Sequence, residues 1–266
     1  MKLDYYQPSE SCRSLVMHYE SIQAQGENVA VIDRHIPSGY ASLVFNSSGS
    51  AKIHEEPVIH LPNHFMVVPL FHAVNIGVYE NIDSFIVTCR ASMLSRLLSL
   101  NLASIKTDFY RRSNNQELKE MAFQFTQYKS VEERISIIEH FFKDKGLIKY
   151  IPDEIDMLYN LIMNGHGCVP IKEHIEKFNQ SPRYFRDHFT ERIGVNAKTL
   201  ARIVRVNYLW SMIIKNRAVD FQDMVFEGDF FDQAHFIHDF KKIVGETPSF
   251  FFNRNLDNVM IISGKV

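Results

Sequence analysis

Phe230-Phe231-Asp232-Gln233-Ala234-His235-Phe236, continued by Phe240-Lys241-Lys242 and Gly245-Glu246-Thr247-Pro248, decides how the second half of this chain folds. Its pattern is already present 51 residues upstream: Ser181 matches Asp232, Phe185 matches Phe236, Phe189 matches Phe240 and Gly194 matches Gly245. Ser and Asp are N-cap residues, whose side-chain oxygens accept from the orphan N–H groups of a first helical turn. Each phenylalanine pair is spaced i, i+4 and so forms one narrow buried stripe. Each glycine stands where a helix ends in a left-handed residue. A short apolar helix is expected before each unit, at 169–178 and at 221–227. Two short helices, a tight turn and a capped second helix make a helix-turn-helix, here present twice.

Between the units, residues 197–215 read as one amphipathic helix with Leu200, Ile203, Val206, Trp210 and Ile213 on one side. At 1.5 Å per residue it is about 28 Å long, comparable to the roughly 34–36 Å between successive major grooves on one face of DNA. With Phe185 and Phe189 turned inward, positions 183, 184, 187 and 190 point outward, and Arg186 lies on the flank. In the second unit the outward set is Ala234, His235, His238 and Lys241, with Gln233 in the first turn. Arginine bonds bidentately to guanine and glutamine to adenine, so these residue types suit base reading. Arg202, Arg205, Lys241 and Lys242 are candidates for phosphate contacts, which position a protein without specifying sequence.

These residues resemble the signature of AraC-type transcription regulators. The second stretch carries most of that likeness, and Ser181-Pro182-Arg183-Tyr184-Phe185-Arg186 with Phe189 resembles the first unit of the family. The resemblance covers roughly residues 155–254. It implies two helix-turn-helix units on a long helix, promoter binding through adjacent major grooves, and base reading from Arg183, Arg186 and Asp187 in the first unit. In the second unit it implies reading from Gln233, Ala234 and His238, so that the expected DNA-binding set is Arg183, Tyr184, Arg186, Asp187, Arg202, Arg205, Gln233, Ala234, His235, His238 and Lys241. The chain departs from the family where glycine is usual in each turn, holding Asn179 and Asp229 instead. These are the non-glycine residues that best tolerate a left-handed backbone. Ile175 and Val225 replace the usual small residue of each first helix. Ala234 stands where a polar reader is common, and Asp187 where a basic one is.

The charge pattern is local. Net charge is −2 over 266 residues, and residues 151–266 carry 14 Lys+Arg against 15 Asp+Glu. Residues 181–205 nevertheless hold Arg183, Arg186, Arg192, Lys198, Arg202 and Arg205 against Asp187 and Glu191. Residues 220–232 hold five acidic groups and no basic one. Phosphate contact needs local positive charge, not a basic whole.

The first hundred residues read as β-rich. Val29 to Arg34, Tyr40 to Asn46, Phe65 to Leu70, His72 to Glu80 and Phe85 to Arg90 are short runs of β-branched and aromatic residues. Turn clusters at Pro37-Ser38-Gly39, Asn46-Ser47-Ser48-Gly49-Ser50 and Leu61-Pro62-Asn63 separate them. Such spacing points to a sandwich or barrel. Tyr5-Tyr6-Gln7-Pro8 and Pro37-Ser38-Gly39-Tyr40 followed by Leu43-Val44-Phe45-Asn46 are similar to the small sensory domain of Bacteroidetes-like regulators in the same family. That likeness implies ligand sensing or dimerisation. Helices follow from Ser92 to Leu100, from a capping box at Ser113 and Gln116, and from another at Ser130 and Glu133.

Other chemistries find little support. The three cysteines, 12, 89 and 168, form no close pair, which reads as reduced thiols in a cytosol. No signal peptide or membrane-spanning run appears. His54, His60, His64 and His72 lack the His-x-His spacing of a metal-bearing cupin, so no metal or cofactor is expected. No nucleophile motif, phosphate loop or dinucleotide fingerprint appears, so no enzyme is expected. The chain has 21 phenylalanines, but Phe185, Phe189, Phe236 and Phe240 have core spacing rather than the pattern of a base-stacking platform, with Phe230 and Phe231 expected to pack the turn and Phe250, Phe251 and Phe252 to seal the last helix.

The sequence therefore predicts an α+β chain of two domains. A cupin-like β-rich sensory or dimerisation domain spans 1–110, a helical connector 111–150 and an all-α DNA-binding domain 151–266. The expected function is a cytoplasmic, sequence-specific transcription regulator responsive to a small-molecule effector. Its expected partners are duplex promoter DNA, a second copy of the chain and RNA polymerase. Two alternatives stand beside it: a small-molecule-processing cupin-like domain fused to a regulator, and an interaction adaptor with degenerate DNA binding.

Overall fold

The computed structural model describes residues 2–25, 30–104, 110–111, 116–127, 130–178, 180–216 and 233–264. The expected first helix of the second unit (221–227), the turn residues Asn179 and Asp229, Asp232, and the Ser113 cap lie outside these residues.

Eight antiparallel strands form one sheet. They are β1 (Lys2–Tyr6), β2 (Val16–Ala24), β3 (Ala30–His35), β4 (Ala41–Ile53), β5 (Ile59–His60), β6 (His64–Val67), β7 (Val74–Cys89) and β8 (Tyr110–Arg111). The main path is β1-β2-β7-β4-β6-β8, with β3 beside β7 and β5 beside β4. The two strands expected at 72–80 and 85–90 are one strand, β7. Its first half pairs with β3 (Ala30↔Tyr79 to His35↔Val74) and its second half with β2 (Val16↔Cys89 to Ala24↔Ile82). The Asn46 to Ser50 cluster is not a turn between strands. It lies inside β4, where the pairing with β7 shifts register between Asn46 and Ser48 and again before Ser50. Gly49 there has φ +83, and a β-carbon would stand 2.7 Å from the Asn81 carbonyl oxygen. Such a bulge bends both strands and lets the sheet curl into a half-barrel.

Period-two alternation then gives the sheet two unlike faces. Leu43, Phe45, Phe85 and Val87 point to the convex side. There they meet α2 (Gln116–Gln127) and α3 (Val131–Asp144), with Phe125 packed edge-on against Phe45 and Phe85 at 4.7 and 5.4 Å. The Ser130–Glu133 capping box that opens α3 is present in both directions. Arg134 of α3 is buried and makes a bidentate pair with Asp83 at 3.0 and 2.7 Å.

That pair holds the Asp83 carboxyl below its ordinary range, the hydrogen bonds from Arg134 being the main cause. A depressed folded-state value means stabilisation that is present above the ordinary aspartate value of about 3.9 and is lost as pH falls through the folded one. Asp83→Asn is therefore expected to be less stable than the parent at neutral pH and to lose less stability on acidification between about pH 5 and pH 3. Urea unfolding across that window reads this; an unchanged acid limb would remove Asp83 as its source.

The rest is helical. A short helix, α1 (Ala91–Leu97), leaves the sheet, and α4 (Glu154–Asn164), α5 (Ile171–Ile175), α6 (Pro182–Ile193), α7 (Ala197–Asn216), α8 (Gln233–Val244), α9 (Pro248–Phe252) and α10 (Asp257–Ile262) follow. The α6 helix begins as its sequence predicts: Ser181 Oγ accepts from the Tyr184 N–H at 3.1 Å, and Gly194 ends it at φ +92. Phe185 and Phe189 are buried. Of the three phenylalanines expected to close the end of the chain, Phe251 is buried, but Phe250 is 65% exposed. The i, i+1 spacing around a helix sends consecutive side chains to different faces, so a run of three cannot all point inward.

The two halves are docked. On β3, Asp33 pairs with Arg254 through two 2.9 Å contacts, and Arg34 binds Glu246 at 2.8 Å and the Val244 carbonyl at 3.0 Å. His35 meets the Ile262 carbonyl at 2.9 Å, and Asn207 Nδ2 of α7 donates to the Pro37 carbonyl at 2.6 Å. One continuous buried core runs from Cys12 to Val259. Among the described residues no helix is long and apolar enough to cross a membrane.

Candidate nucleic-acid interface and an enclosed cavity

Helix α6 presents the charged face expected of it. Arg183, Arg186 and Asp187 are all exposed. Arg186 Nε donates to Asp187 Oδ1 at 3.0 Å, and Arg183 Nε approaches Asp187 Oδ2 at 3.5 Å. The hydrogen bond from Arg186 holds the Asp187 carboxyl below its ordinary range. Asp187 thus pre-orders two guanidinium groups on adjacent turns, while each keeps free N–H donors for an anion or a base edge. Tyr184 is half-buried, its ring tilted over His188 at 4.2 Å between centroids.

The remaining basic groups of 181–205 divide. Arg192 turns inward, where Nη1 donates to both Asp153 oxygens at 2.6 and 2.7 Å. Arg205 is half-buried and its Nη2 donates to the Gly167 carbonyl at 3.0 Å. Lys198 and Arg202 remain at the surface. Charge counted along the sequence therefore overstates the charge presented to solvent.

On α8, Gln233, Ala234, His238, Lys241 and Lys242 are exposed and His235 is half-buried. Asp239, which the sequence reading passed over, is only 2% exposed and organises this face. Arg202 of α7 reaches it at 3.4 Å, and His235 and His238 at 3.5 Å each. Three residues predicted as separate DNA contacts thus converge on one buried carboxylate, which ties α8 to the spacer helix. An acidic side chain on a predicted reader helix is ordinarily read as solvated. Its i, i+4 spacing from His235 was the available signal.

The concave face of the sheet encloses a cavity of about 620 Å³. Val44 and, beyond the register shifts, Ala51 of β4 line it with Ile76 and Ile86 of β7 and with Phe65 and Val67. Its far wall is not sheet. Asn207, Trp210 and Ser211 of α7 and residues 261–264 at the end of α10 close it. Polar groups interrupt the apolar wall in places: Glu20, His18 and Thr88 form one cluster, and Asn46 with Ser84 forms another. Glu20 is 4% exposed. The sequence reading missed this site, because nothing along the chain shows which strand residues turn to the concave side.

The histidines weighed as metal ligands are dispersed. His54 bonds the Tyr79 hydroxyl and His72 the Ala73 carbonyl. Among the described residues no group of three His, Cys, Asp or Glu side chains is placed to hold a metal ion.

Residues 175–254 match the family model described as a helix-turn-helix domain. No curated protein matches the chain significantly. Among solved structures, the chain is similar to ToxT from Vibrio cholerae O395, at 15% identity over 95% of this chain and 99% of that one, with a TM-score of 0.45. The same protein bound to (E)-4-(8-methylnaphthalen-1-yl)but-3-enoic acid gives 13% identity over 98% and 100%, with a TM-score of 0.47. Unsaturated fatty acid bound wild-type ToxT from Vibrio cholerae strain SCE256 gives 13% over 91% and 99%, with a TM-score of 0.44.

Proposed function

We propose that this chain, whose residues 175–254 are an AraC-type helix-turn-helix domain, is a DNA-binding transcription regulator controlled by a small-molecule effector. It is a regulator and not an enzyme. The observation that carries the reading is the outward face of α6, where Arg183 and Arg186 stand exposed on a capped helix whose opposite face is buried through Phe185 and Phe189. Arg183 and Arg186 read base edges, Asp187 holds them in place, and Tyr184 contacts DNA from the same helix. Gln233, Ala234, His235 and His238 face the second groove. Arg202, Arg205 and Lys241 are assigned to the DNA backbone, and Arg202 and Arg205 turn toward it from their contacts to Asp239 and the Gly167 carbonyl.

The effector occupies the cavity. Its walls come from the sheet of residues 1–110 and from the helices of 151–266, so an occupant touches both halves at once. A ligand shifts a conformational equilibrium only through contacts that differ between states, and contacts on both sides of the docking seam meet that condition. Within the connector 111–150, α2 and α3 pack on the sheet. Dimerisation through the β-rich half and contact with RNA polymerase complete the reading, which places the protein in the cytoplasm.

The test is fluorescence anisotropy of the full chain on duplex DNA from its own upstream region, at several salt concentrations. Binding is expected to weaken steeply with salt, as counterion release requires. Arg183→Ala is expected to weaken it by about 1–3 kcal/mol and to relax preference at one base position. Association that is insensitive to salt, or a base preference unchanged in the variant, would overturn the assignment. Sedimentation velocity with and without DNA reads the dimer.

A further inference from the structure

Among the described residues that line it, the cavity holds one buried acid, Glu20, whose basic neighbours are histidines: His18, which pairs with it at 2.9 Å, and His35. Glu20 lies on β2 and is 4% exposed. Its Oε1 accepts from Thr88 Oγ1 at 3.0 Å and hydrogen-bonds His18 Nε2 at 2.9 Å. Both partners fall on the same oxygen. The carboxylate as a whole faces Gly264, where an added β-carbon would stand 2.9 Å from Oε2 and 3.0 Å from Oε1. Among the described residues that line the cavity, none is lysine or arginine. The remaining wall is mostly aliphatic and aromatic, including Val44, Phe65, Ile76 and Ile86.

A carboxylate taken out of water is costly unless it is paired and its lone pairs are met. Among the described residues both hydrogen-bond partners meet Oε1, which leaves Oε2 for an incoming donor. An anionic head group beside Glu20 would add a second negative charge where the surroundings screen poorly. An ammonium supplies a positive charge and up to three donors for Oε2. The apolar wall takes the body of the ligand, in the manner of pockets that bury most of a small molecule and orient it with a few polar groups. We infer that the cavity selects apolar ligands carrying a cationic, hydrogen-donating nitrogen, with Glu20 as their receptor. The inference rests on the reading of the cavity as the effector site and names the effector's chemical class.

Three matched probes test it by isothermal titration calorimetry on the full chain: phenylbutylamine, phenylbutyric acid and phenylbutanol. They share one body and differ in the head, and the amine is protonated at neutral pH because alkyl ammonium groups titrate near about 10.4. The amine is expected to bind about tenfold or more tighter than the acid. In Glu20→Gln the amine is expected to fall to within about threefold of the alcohol, with alcohol binding unchanged. An acid that binds as tightly as the amine in the parent chain overturns the inference without any variant. So does amine binding unaffected by Glu20→Gln. Alcohol binding that is lost in the cavity-filling variant Val44→Trp, with no preference for the amine, keeps the cavity as a ligand site and removes the charge selection. No binding of any probe removes both.

Discussion

Phe189→Ala is expected to destabilise the chain by about 3–5 kcal/mol, the range for truncating a well-packed buried aromatic. Phe189 is 1% exposed and sits on the inner face of α6, which rests on α1 and on the turn at Leu102–Ser104 of the preceding region. The cavity left behind is bounded by helices that cannot close over it without moving the reader helix, so the transfer and cavity costs add. The effect differs in kind from that of Arg183→Ala. The arginine variant should unfold at the same denaturant midpoint as the parent and bind DNA more weakly. The phenylalanine variant should show a lowered midpoint, with DNA binding recovered in proportion to the folded fraction. A midpoint shift worth less than about 1 kcal/mol would mean that α6 is not anchored through this side chain.

The second large effect is expected at Gly167, in the connection between α4 and α5. Its φ is +76, and a β-carbon there would stand 2.1 Å from the Ala201 carbonyl oxygen and 3.0 Å from the Arg205 backbone nitrogen, both on α7. Neither atom belongs to a side chain that can swing aside. Gly167→Ala combines left-handed strain of about 1–2 kcal/mol with overpacking of about 1–3 kcal/mol, or roughly 2–5 kcal/mol in all. It should also disturb the contact from Arg205 to the Gly167 carbonyl. Gly146→Ala is the matched control: φ there is +90, and nothing lies within 4 Å of the added carbon. The control is expected to carry the strain alone, about 1–2 kcal/mol. Equal losses in urea titrations of the two variants would show that the close approach to α7 does not matter.

The helices were legible because their signals are local. The N-cap at Ser181, the i, i+4 phenylalanines, Gly194 and the Ser130–Glu133 box all act within two turns, and each appears where the residues place it. Strands were less legible. Val16–Ala24 carries His18, Glu20 and Gln23 among its apolar residues and shows no clean alternation, because a central strand between a packed face and a cavity buries polar groups on one side. The glycine and serines at 47–50 have turn composition, yet cross-strand pairing with β7 holds them in line.

The sequence alone determined the helix-turn-helix architecture, the long spacer helix and the exposed arginines of α6. Those depend on capping, period and the polarity of one helix face, and each such signal lies within a few helical turns. Tertiary structure alone decided which charges are spent internally, as with Arg192 on Asp153 and the three groups gathered around Asp239. It also decided that one face of the sheet is packed by helices while the other encloses a cavity with Glu20 in its wall. The physical reason is register. A shift of one residue would turn every strand side chain to the opposite face, and register is set by pairing between segments up to seventy residues apart and by the docking of the chain's end against β3.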